Sequence, residues 1–496
     1  MLEFLKLSPV ILLAVMVVNG VDILISASIG LFVAAFICKF TEKMKFADIM
    51  NEAVEGAKEA TLLAFILMLA YALAEIFMST GVGAAAISIF LHVGVTGKTV
   101  AVVAFLTTCV LSVSTGTSWG TFAACIPIFI WLCNVVGGNP AMTFTAAVGG
   151  SAFGDNIGLI SDTTILSSGL QGVKVVDRIR AQGPWSVLCV ILAAICFYSL
   201  SVAMGLPDNA GDPSKILAAM SQETIKVLEE ERPAVLTLLA QVKDGVPLYM
   251  IIPVIIVVTM AVMRMDTISC LSTGIVCAIA FGYAAGTVTS ISDVIGLVQS
   301  GFESAGSWAV IMLFWAMGFG AVMRRMDAFG PIAAFFVKIS RRVRHLVVCN
   351  GLLCLIINAT VNEEMSQMAT VGPVLKDIIN NNVEGSEEDK YKLRNRNALF
   401  SDAVGVHSAA LIPWHTGVAY YMGLAAAVYP LYHFTIGDLY YNFMGIICVV
   451  SIYVLTFTGW DRFIPLFGLP EEPAVRLKKV EERDYQMEEE LLSDPN

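Results

Sequence analysis

Long apolar runs separated by short polar loops dominate the chain from its start to about residue 460. Runs of about 20 apolar residues predict transmembrane helices, because a rise of 1.5 Å per residue then covers the roughly 30 Å hydrocarbon core. We predict five such spans in each half of the chain, at 6–19, 21–39, 58–79, 141–170 and 185–206, and at 246–263, 267–286, 304–324, 396–429 and 438–459.

One apolar segment in each half differs from these spans, because a polar tip divides it into two short arms. In residues 99–134 the tip reads SVSTGTSWGT, and each arm is too short to cross the bilayer core as a helix. Two short arms around a polar tip predict a re-entrant hairpin that enters and leaves on one side of the membrane. Residues 346–379, with the tip NATVNEEMSQ, show the same pattern.

The second half of the sequence repeats the first. The offset drifts only from 244 residues, between Pro9 and Pro253, to 247 residues, between Asp155 and Asp402. GAKEATLLAFILML from residue 56 matches GFESAGSWAVIMLF from residue 301, and SAFGDNIGLIS from 151 matches ALFSDAVGVHS from 398. With five spans per half, the second copy must be inverted, and inverted repeats are typical of secondary transporters.

The chain is therefore predicted to be an all-α polytopic membrane protein of two inverted repeats, each with five transmembrane spans and one re-entrant hairpin, and with helices broken at mid-membrane. The predicted domains are the first repeat (1–206), an extracytoplasmic linker with amphipathic helices (207–245), the second repeat (246–460) and a charged cytoplasmic tail (461–496).

Composition and charge support this topology. The 496 residues are 57% hydrophobic and 14% charged, whereas about a quarter of a soluble domain is charged. In the predicted topology, five of the 30 Lys and Arg residues lie outside and all others lie on the side of the termini. This asymmetry places both termini in the cytoplasm and the protein in the plasma (inner) membrane. The net charge of −11 argues against a nucleic-acid partner.

Four polar stretches fall at equivalent depths, in the two hairpin tips and in the spans 141–170 and 396–429. Gly154, Gly158, Gly405 and Pro413 are poor helix formers and predict that both spans unwind there. Unwound backbone offers carbonyl groups to a cation and helix N-termini to an anion. The candidate ion- or substrate-binding residues are Ser114, Thr115, Thr117, Ser118, Asp155, Asn156, Ser161, Asp162, Thr163, Asn358, Asn362, Glu363, Glu364, Asp402, His407, Ser408, Trp414, His415 and Thr416.

Three of these residues, Asp155, Asn156 and Asp402, are the candidate sodium ligands, because a carboxylate or amide oxygen suits a small hard cation. The eleven cysteines show no metal-binding spacing, so no cofactor is expected besides sodium ions and protons as transported or coupling ions. Asp22 and Asp266 each precede an apolar helix and are interpreted as helix N-caps.

STGTSWGT, followed by FGDNIGLISDTT and later by LIPWHTG, resembles the NhaC-type sodium/proton antiporter family of the ion-transporter superfamily. The resemblance covers nearly the whole chain and implies an elevator-type transport domain that moves against a scaffold. The chain departs from the family pattern at four places: Gly158–Leu159 after the GDN motif, His415 where Asn is frequent, and Glu363 and Glu364 at the second tip. Some relatives exchange malate and lactate and others are assigned to amino acids, so the resemblance leaves the substrate open.

The leading hypothesis is a secondary active transporter similar to sodium/proton antiporters, and not an enzyme. The alternative is a sodium- or proton-coupled transporter or exchanger of an amino acid or small carboxylate. An intramembrane aspartyl protease is disfavoured because SAFGD replaces the GxGD motif of those enzymes, and no GxxxxGK[ST] motif indicates ATP as an energy source. The expected partners are the lipid bilayer, sodium and protons, with a small organic solute under the alternative hypothesis. A homodimer is one of the oligomeric states that the sequence leaves open.

Overall fold

A computed structural model describes residues 5–159, 161–209, 211, 225–226, 228–229, 233–263, 265–326, 329–465, 467, 469–470 and 474–483. Within these residues the first half forms the helices α1 (Ser8–Val18), α2 (Ile23–Thr41), α3 (Phe46–Glu59), α4 (Thr61–Thr80), α5 (Val82–His92), α6 (Val100–Thr115), α7 (Ser118–Val136), α8 (Pro140–Ile157), α9 (Asp162–Gln171) and α10 (Val175–Ala203).

A linker helix, α11 (Pro233–Asp244), precedes the second half. The helices that follow are α12 (Ile252–Val262), α13 (Thr267–Ala285), α14 (Ile291–Ser307), α15 (Ala309–Arg325), α16 (Gly330–Ile339), α17 (Val343–Val361), α18 (Glu364–Asn382), α19 (Glu387–Ala409), α20 (Thr416–Val428) and α21 (Phe443–Thr458). In the described residues both halves thus have the same order of helices. The inversion of the second half and the domain limits stay predictions.

Every predicted span overlaps a helix, but four helices were missed: α3, α5, α14 and α16. Charged residues lower the hydropathy of α3, which carries Asp48, Glu52, Glu55 and Lys58, so a search for apolar spans passes over it. The described residues are predominantly helical, as predicted, with one short sheet besides the helices. The chain forms a short antiparallel sheet in which β1 (Val383–Gly385) pairs with β2 (Val475–Leu477) of the predicted tail.

Two of the missed helices hold the halves together. α3 packs along α15 of the second half, and α14 packs along α4 of the first half. A Cβ atom at Gly56 of α3 would come within 2.3 Å of the Ala321 Cβ, and one at Gly301 of α14 within 2.5 Å of the Ala72 Cα. Gly56 and Gly301 are equivalent in the sequence repeat, so the same small residue permits both close crossings.

The two predicted hairpin tips are present, but the prediction that each arm is too short to cross the bilayer was wrong for α7 and α17, which have 19 residues each and are apolar enough to span it. That the hairpins are re-entrant stays a prediction. α6 packs against α7 around Gly116 and Thr117, and α17 packs against α18 around Asn362 and Glu363. Both turns use a residue in the left-handed region, with φ of 70° at Gly116 and 62° at Asn362. Asparagine tolerates this conformation better than most other residues, which explains its place at the second tip.

Both long polar spans are broken. The first break separates α8 from α9 and contains Gly158, and the second separates α19 from α20 and contains Pro413. The prediction that Gly154 and Gly405 would unwind their helices was wrong, because Gly154 lies inside α8 and Gly405 inside α19. Gly154 instead allows α8 to approach α6, since a Cβ atom there would lie 2.0 Å from the Ser112 carbonyl carbon.

Seven helical segments of the described residues are long and apolar enough to cross a membrane: α2, α4, α7, α10, α13, α17 and the continuous α14–α15 pair. Asp22 and Asp266 cap α2 and α13 as predicted, accepting hydrogen bonds from the Leu24 amide at 2.8 Å and the Ser269 amide at 2.9 Å. Of the linker helices predicted in 207–245, α11 is present, and most of the segment before it lies outside the described residues, as do residues 484–496 of the tail.

Candidate functional site

The first hairpin tip meets the first broken helix at Asp155. The Asp155 Oδ2 accepts a hydrogen bond from the Ser118 amide at 3.0 Å, at the N-terminus of α7. Thr117 caps the same helix end through the Gly120 amide. A negative side chain near a helix N-terminus is favoured by the unpaired amides and the helix dipole. This contact between the tip and the break buries the Asp155 carboxylate, which is 6% exposed.

The backbone of the break is held by hydroxyl groups. Thr163 and Thr164 both donate to the Asp155 carbonyl oxygen at 2.9 Å, and the Ser161 and Thr163 hydroxyls lie 2.9 Å apart. The carbonyl that α8 leaves without a helical partner is therefore satisfied by side chains of α9. Asp162, the first residue of α9, is exposed.

The second hairpin tip meets the second break through a separate set of hydrogen bonds. Asn358 donates to the Gly405 carbonyl and the Ser408 hydroxyl, both at 2.9 Å, and lies 3.2 Å from the His415 Nε2. Thr416 donates to the Asn362 carbonyl at 2.6 Å. In the same region Trp414 donates to the Ala359 carbonyl, and Glu363 accepts from the amides of Met365 and Ser366.

A buried ion pair joins the two halves. The Arg178 guanidinium of α10 donates to the Asp402 Oδ2 of α19, and both side chains are 0% exposed. Arg178 also donates to the Asn156 carbonyl at 2.9 Å and to the Gln182 Oε1 at 2.7 Å. The Asn156 amide donates to the Asp402 Oδ2 at 3.1 Å, and Gln182 donates to the Asn156 Oδ1. The charge of Asp402 is thereby balanced inside the protein.

A cavity of about 750 Å³ lies beside Asp155. It runs from the two hairpin tips past the start of α4 to the connection between α12 and α13. Its carboxylate side chains are Asp155, Asp162, Asp266, Glu363 and Glu364, and its described lining includes no Lys, Arg or His. The Trp119 ring also borders it and stacks on Tyr420, with ring centroids 4.3 Å apart.

The cavity separates the predicted site residues into groups. Those that line it are Thr115, Thr117, Asp155, Asp162, Thr163, Glu363 and Glu364. Ser118 and Ser161 do not line the cavity but donate hydrogen bonds to the Asp155 carboxylate, the first from its amide and the second from its hydroxyl. Ser114 donates to the Val110 carbonyl of its own helix. Those that do not line it are Asn156 and Asp402 at the ion pair, and Asn358, Asn362, Ser408, Trp414, His415 and Thr416 in the second half. His407 is buried, and neither of its ring nitrogens has a hydrogen-bond partner among the residues that the structure describes.

The proposed sodium ligands are thus divided as well. Asp155 borders the cavity, whereas the Asp402 Oδ2 and the Asn156 side chain already bond Arg178, Gln182 and each other. Among the residues that the structure describes, no group of three or more His, Cys, Asp or Glu side chains could hold a metal ion.

The sequence model of the Na⁺/H⁺ antiporter family matches residues 3–202 and 152–460. The chain belongs to the Na⁺/H⁺ antiporter family. This confirms the family resemblance of the motifs around Asp155, and it makes the protein a multi-pass membrane protein and a secondary antiporter.

Relatives of this antiporter differ in the solutes that their names give. The chain is 23% identical to the arginine/ornithine antiporter ArcD of Halobacterium salinarum, over 84% of this chain and 82% of that protein. It is 22% identical to the Na⁺/H⁺ antiporter NhaC of Alkalihalophilus pseudofirmus, over 82% and 89%. It is 26% identical to a malate-2H⁺/Na⁺-lactate antiporter of Bacillus subtilis, over 59% and 62%.

A solved structure, the YdaH transporter of Alcanivorax borkumensis, is also similar. It has a TM-score of 0.36 and 14% sequence identity to this antiporter, covering 84% of this chain and 88% of that chain.

Sequence reasoning missed two residues of the antiporter's buried cluster, Arg178 and Gln182. Arg178 was counted among the basic residues that mark the cytoplasmic side, because it stands near the start of an apolar helix. A signal was present, since Arg178 and Gln182 are four residues apart and so share one helix face. Which face is buried, however, depends on the position of α10 against α19.

Proposed function

We propose that this antiporter exchanges sodium ions for protons across the plasma membrane, and that the two compete for the Asp155 carboxylate. The observation that carries this proposal is the position of Asp155, which is nearly buried at a hairpin tip and still borders the cavity. Among the described side chains, no Lys or Arg forms an ion pair with it, in contrast to Asp402.

An uncompensated carboxylate is costly in a protein interior, and either a sodium ion or a proton removes that cost. The hydroxyls of Ser161 and Thr163 lie beside the carboxylate and offer neutral oxygen atoms to a cation. Because a proton and a sodium ion use the same carboxylate oxygens, binding of one expels the other. This competition is a minimal mechanism for antiport.

The side to which the cavity extends supports alternating access. Its lining includes Met265, Asp266 and Thr267, at the connection between α12 and α13, and the first two of these are exposed. The distribution of basic residues assigns this connection, together with both termini, to the cytoplasm. We therefore assign the structure to an inward-facing state of an elevator-type cycle, in which the hairpins and broken helices carry Asp155 to the other side.

A second candidate function is coupled exchange of an organic solute, and the volume of the cavity favours it. About 750 Å³ is far more than one dehydrated ion occupies, and it falls within the range of small-molecule sites. Two relatives are named for organic solutes, a basic amino acid pair in one and malate and lactate in the other.

Proteoliposomes that contain a pH-sensitive dye test the proposal. An imposed sodium gradient should drive proton movement in the wild-type protein without any organic solute. Asp155→Asn, which keeps the size of the side chain, should abolish this movement. Asp293→Asn, at an exposed position in the first turn of α14, is the matched control and should retain it.

Apparent sodium affinity should rise between about pH 6 and pH 9, because fewer protons then compete for the carboxylate. A correctly inserted Asp155→Asn protein with normal exchange would refute the role of Asp155. Proton movement that starts only when an organic solute is added would establish the second function instead.

A further inference from the structure

We propose that the cavity beside Asp155 binds a small organic cation, with an amine or guanidinium group and no carboxylate, as a transported solute. This inference rests on the proposed function only in that it assigns the solute to the same cavity. It is carried by five features of the cavity: its volume, its charge, the helix N-termini around it, two carboxylates that retain acceptor capacity, and one aromatic ring.

The charge of the lining selects against anions. Five carboxylate side chains border the cavity, and the described lining contains no basic residue. Arg178 is fully buried and bound to Asp402, so it is not free to receive a substrate carboxylate. Among the described lining residues, a dicarboxylate such as malate would therefore meet only like charges, and juxtaposed like charges are strongly unfavourable.

Helix N-termini are the other common receptors for a carboxylate, and three of those at this cavity already hold carboxylates of the chain itself, while α9 begins with the carboxylate residue Asp162. The N-terminus of α7 is bonded to Asp155, that of α18 to Glu363 and that of α13 to Asp266. An amino acid would bring its amine into a favourable site and its carboxylate among five side chains of the same charge. An amine that lacks the carboxylate fits the cavity better.

Two carboxylates in the lining retain free acceptor capacity. Asp162 and Glu364 take part in no hydrogen bond or ion pair among the described residues, although both border the cavity. They stand in different halves of the chain, Asp162 at the start of α9 and Glu364 at the start of α18. Two acceptors on separate elements suit a molecule with a cationic group at each end.

Trp119 supplies an aromatic surface for such a cation. Its ring borders the cavity and stacks on Tyr420 at an interplanar angle of 19°. The Tyr420 hydroxyl donates to the Trp119 carbonyl at 2.7 Å, which holds the two residues together. A tryptophan ring is the strongest cation–π partner among the aromatic side chains.

Binding of matched four-carbon probes to the purified protein tests the inference by isothermal titration calorimetry. Putrescine carries two positive charges, 1,4-butanediol none, and succinate two negative charges. Agmatine and arginine form a second pair that differs by the carboxylate. We expect putrescine and agmatine to bind and to compete with sodium, arginine to bind at least about tenfold more weakly than agmatine, and succinate and butanediol not to bind.

Three substitutions at two lining residues locate the site. Glu364→Gln should weaken putrescine binding at least about tenfold, and Trp119→Leu should weaken it more than Trp119→Phe. Glu55→Gln, on the exposed surface of α3, is the control and should bind putrescine as the wild type does.

Sodium-driven proton movement, measured in proteoliposomes of the same preparation, separates this inference from the proposed function. Exchange of sodium for protons without binding of either amine would overturn the inference and leave the proposed function standing. Amine binding without sodium-driven proton movement would overturn the proposed function and leave this inference standing. Binding of succinate, or of arginine as tightly as agmatine, would also overturn it.

Discussion

Replacing Asp402 by Asn distinguishes two roles for this carboxylate, a partner of Arg178 and a ligand of the transported ion. The substitution keeps the size of the side chain but removes its negative charge. The Arg178 guanidinium then stays buried with only neutral partners, the Asn156 carbonyl at 2.9 Å and the Gln182 Oε1 at 2.7 Å.

The expected loss of stability is large. Removing one partner from a buried ion pair typically costs about 3–5 kcal/mol, because an uncompensated charge is left in the interior. Both side chains are 0% exposed, so Asp402→Asn and Arg178→Gln should each fall in this range. The double variant leaves two neutral side chains that can hydrogen-bond, and we expect it to lose less than about 2 kcal/mol.

Denaturant unfolding of the four purified proteins in detergent micelles measures the coupling as a double-mutant cycle. Arg476 and Glu384 form an exposed ion pair between β2 and β1 and serve as the control cycle, with side-chain exposures of 72% and 39%. Solvent screens that pair, so its coupling should stay below about 1 kcal/mol. Sodium-driven proton movement is measured on each variant in parallel.

A wild-type free energy of unfolding in Asp402→Asn would refute the structural role. Loss of exchange in that variant, without rescue by Arg178→Gln, would instead support Asp402 as a sodium ligand, as the sequence predicted. Partial recovery of stability and exchange in the double variant is the outcome that the ion pair requires.

Two further predictions concern packing and topology. Gly301→Ala should lower the free energy of unfolding by about 1–3 kcal/mol in denaturant unfolding, because the new Cβ atom would lie 2.5 Å from the Ala72 Cα. Gly296→Ala is the control in the same helix, because a Cβ atom there would meet no described atom within 4 Å, and it should be neutral or stabilising by up to about 1 kcal/mol in the same assay. A cysteine that replaces Lys392 should react with a membrane-impermeant maleimide only in permeabilised cells. A cysteine that replaces Asp208, in the predicted outer linker, should react in intact cells. Labelling of position 392 from outside would reverse the assigned orientation.

The sequence by itself determined the features that depend on local pattern. Apolar runs of span length located most of the helices that could cross a membrane, and the polar tips located the turns between α6 and α7 and between α17 and α18. Gly158 and Pro413 marked the two breaks, and Asp22 and Asp266 marked two helix N-termini. Each of these depends on neighbours within a few residues, because hydropathy, turn conformation and capping are short-range properties of the chain.

Only the tertiary structure decided the environment of each polar residue. Asp155 and Asp402 are equivalent in the repeat, yet Asp155 borders a cavity while Asp402 pairs with Arg178, which is 224 residues away in sequence. The repeat makes the backbone positions alike, but the charge that faces each carboxylate comes from another helix. Likewise Gly56 and Gly301 acquire their roles only where α3 and α14 cross the opposite half. Such contacts depend on how helices pack, and packing brings together residues whose separation along the chain carries no pattern.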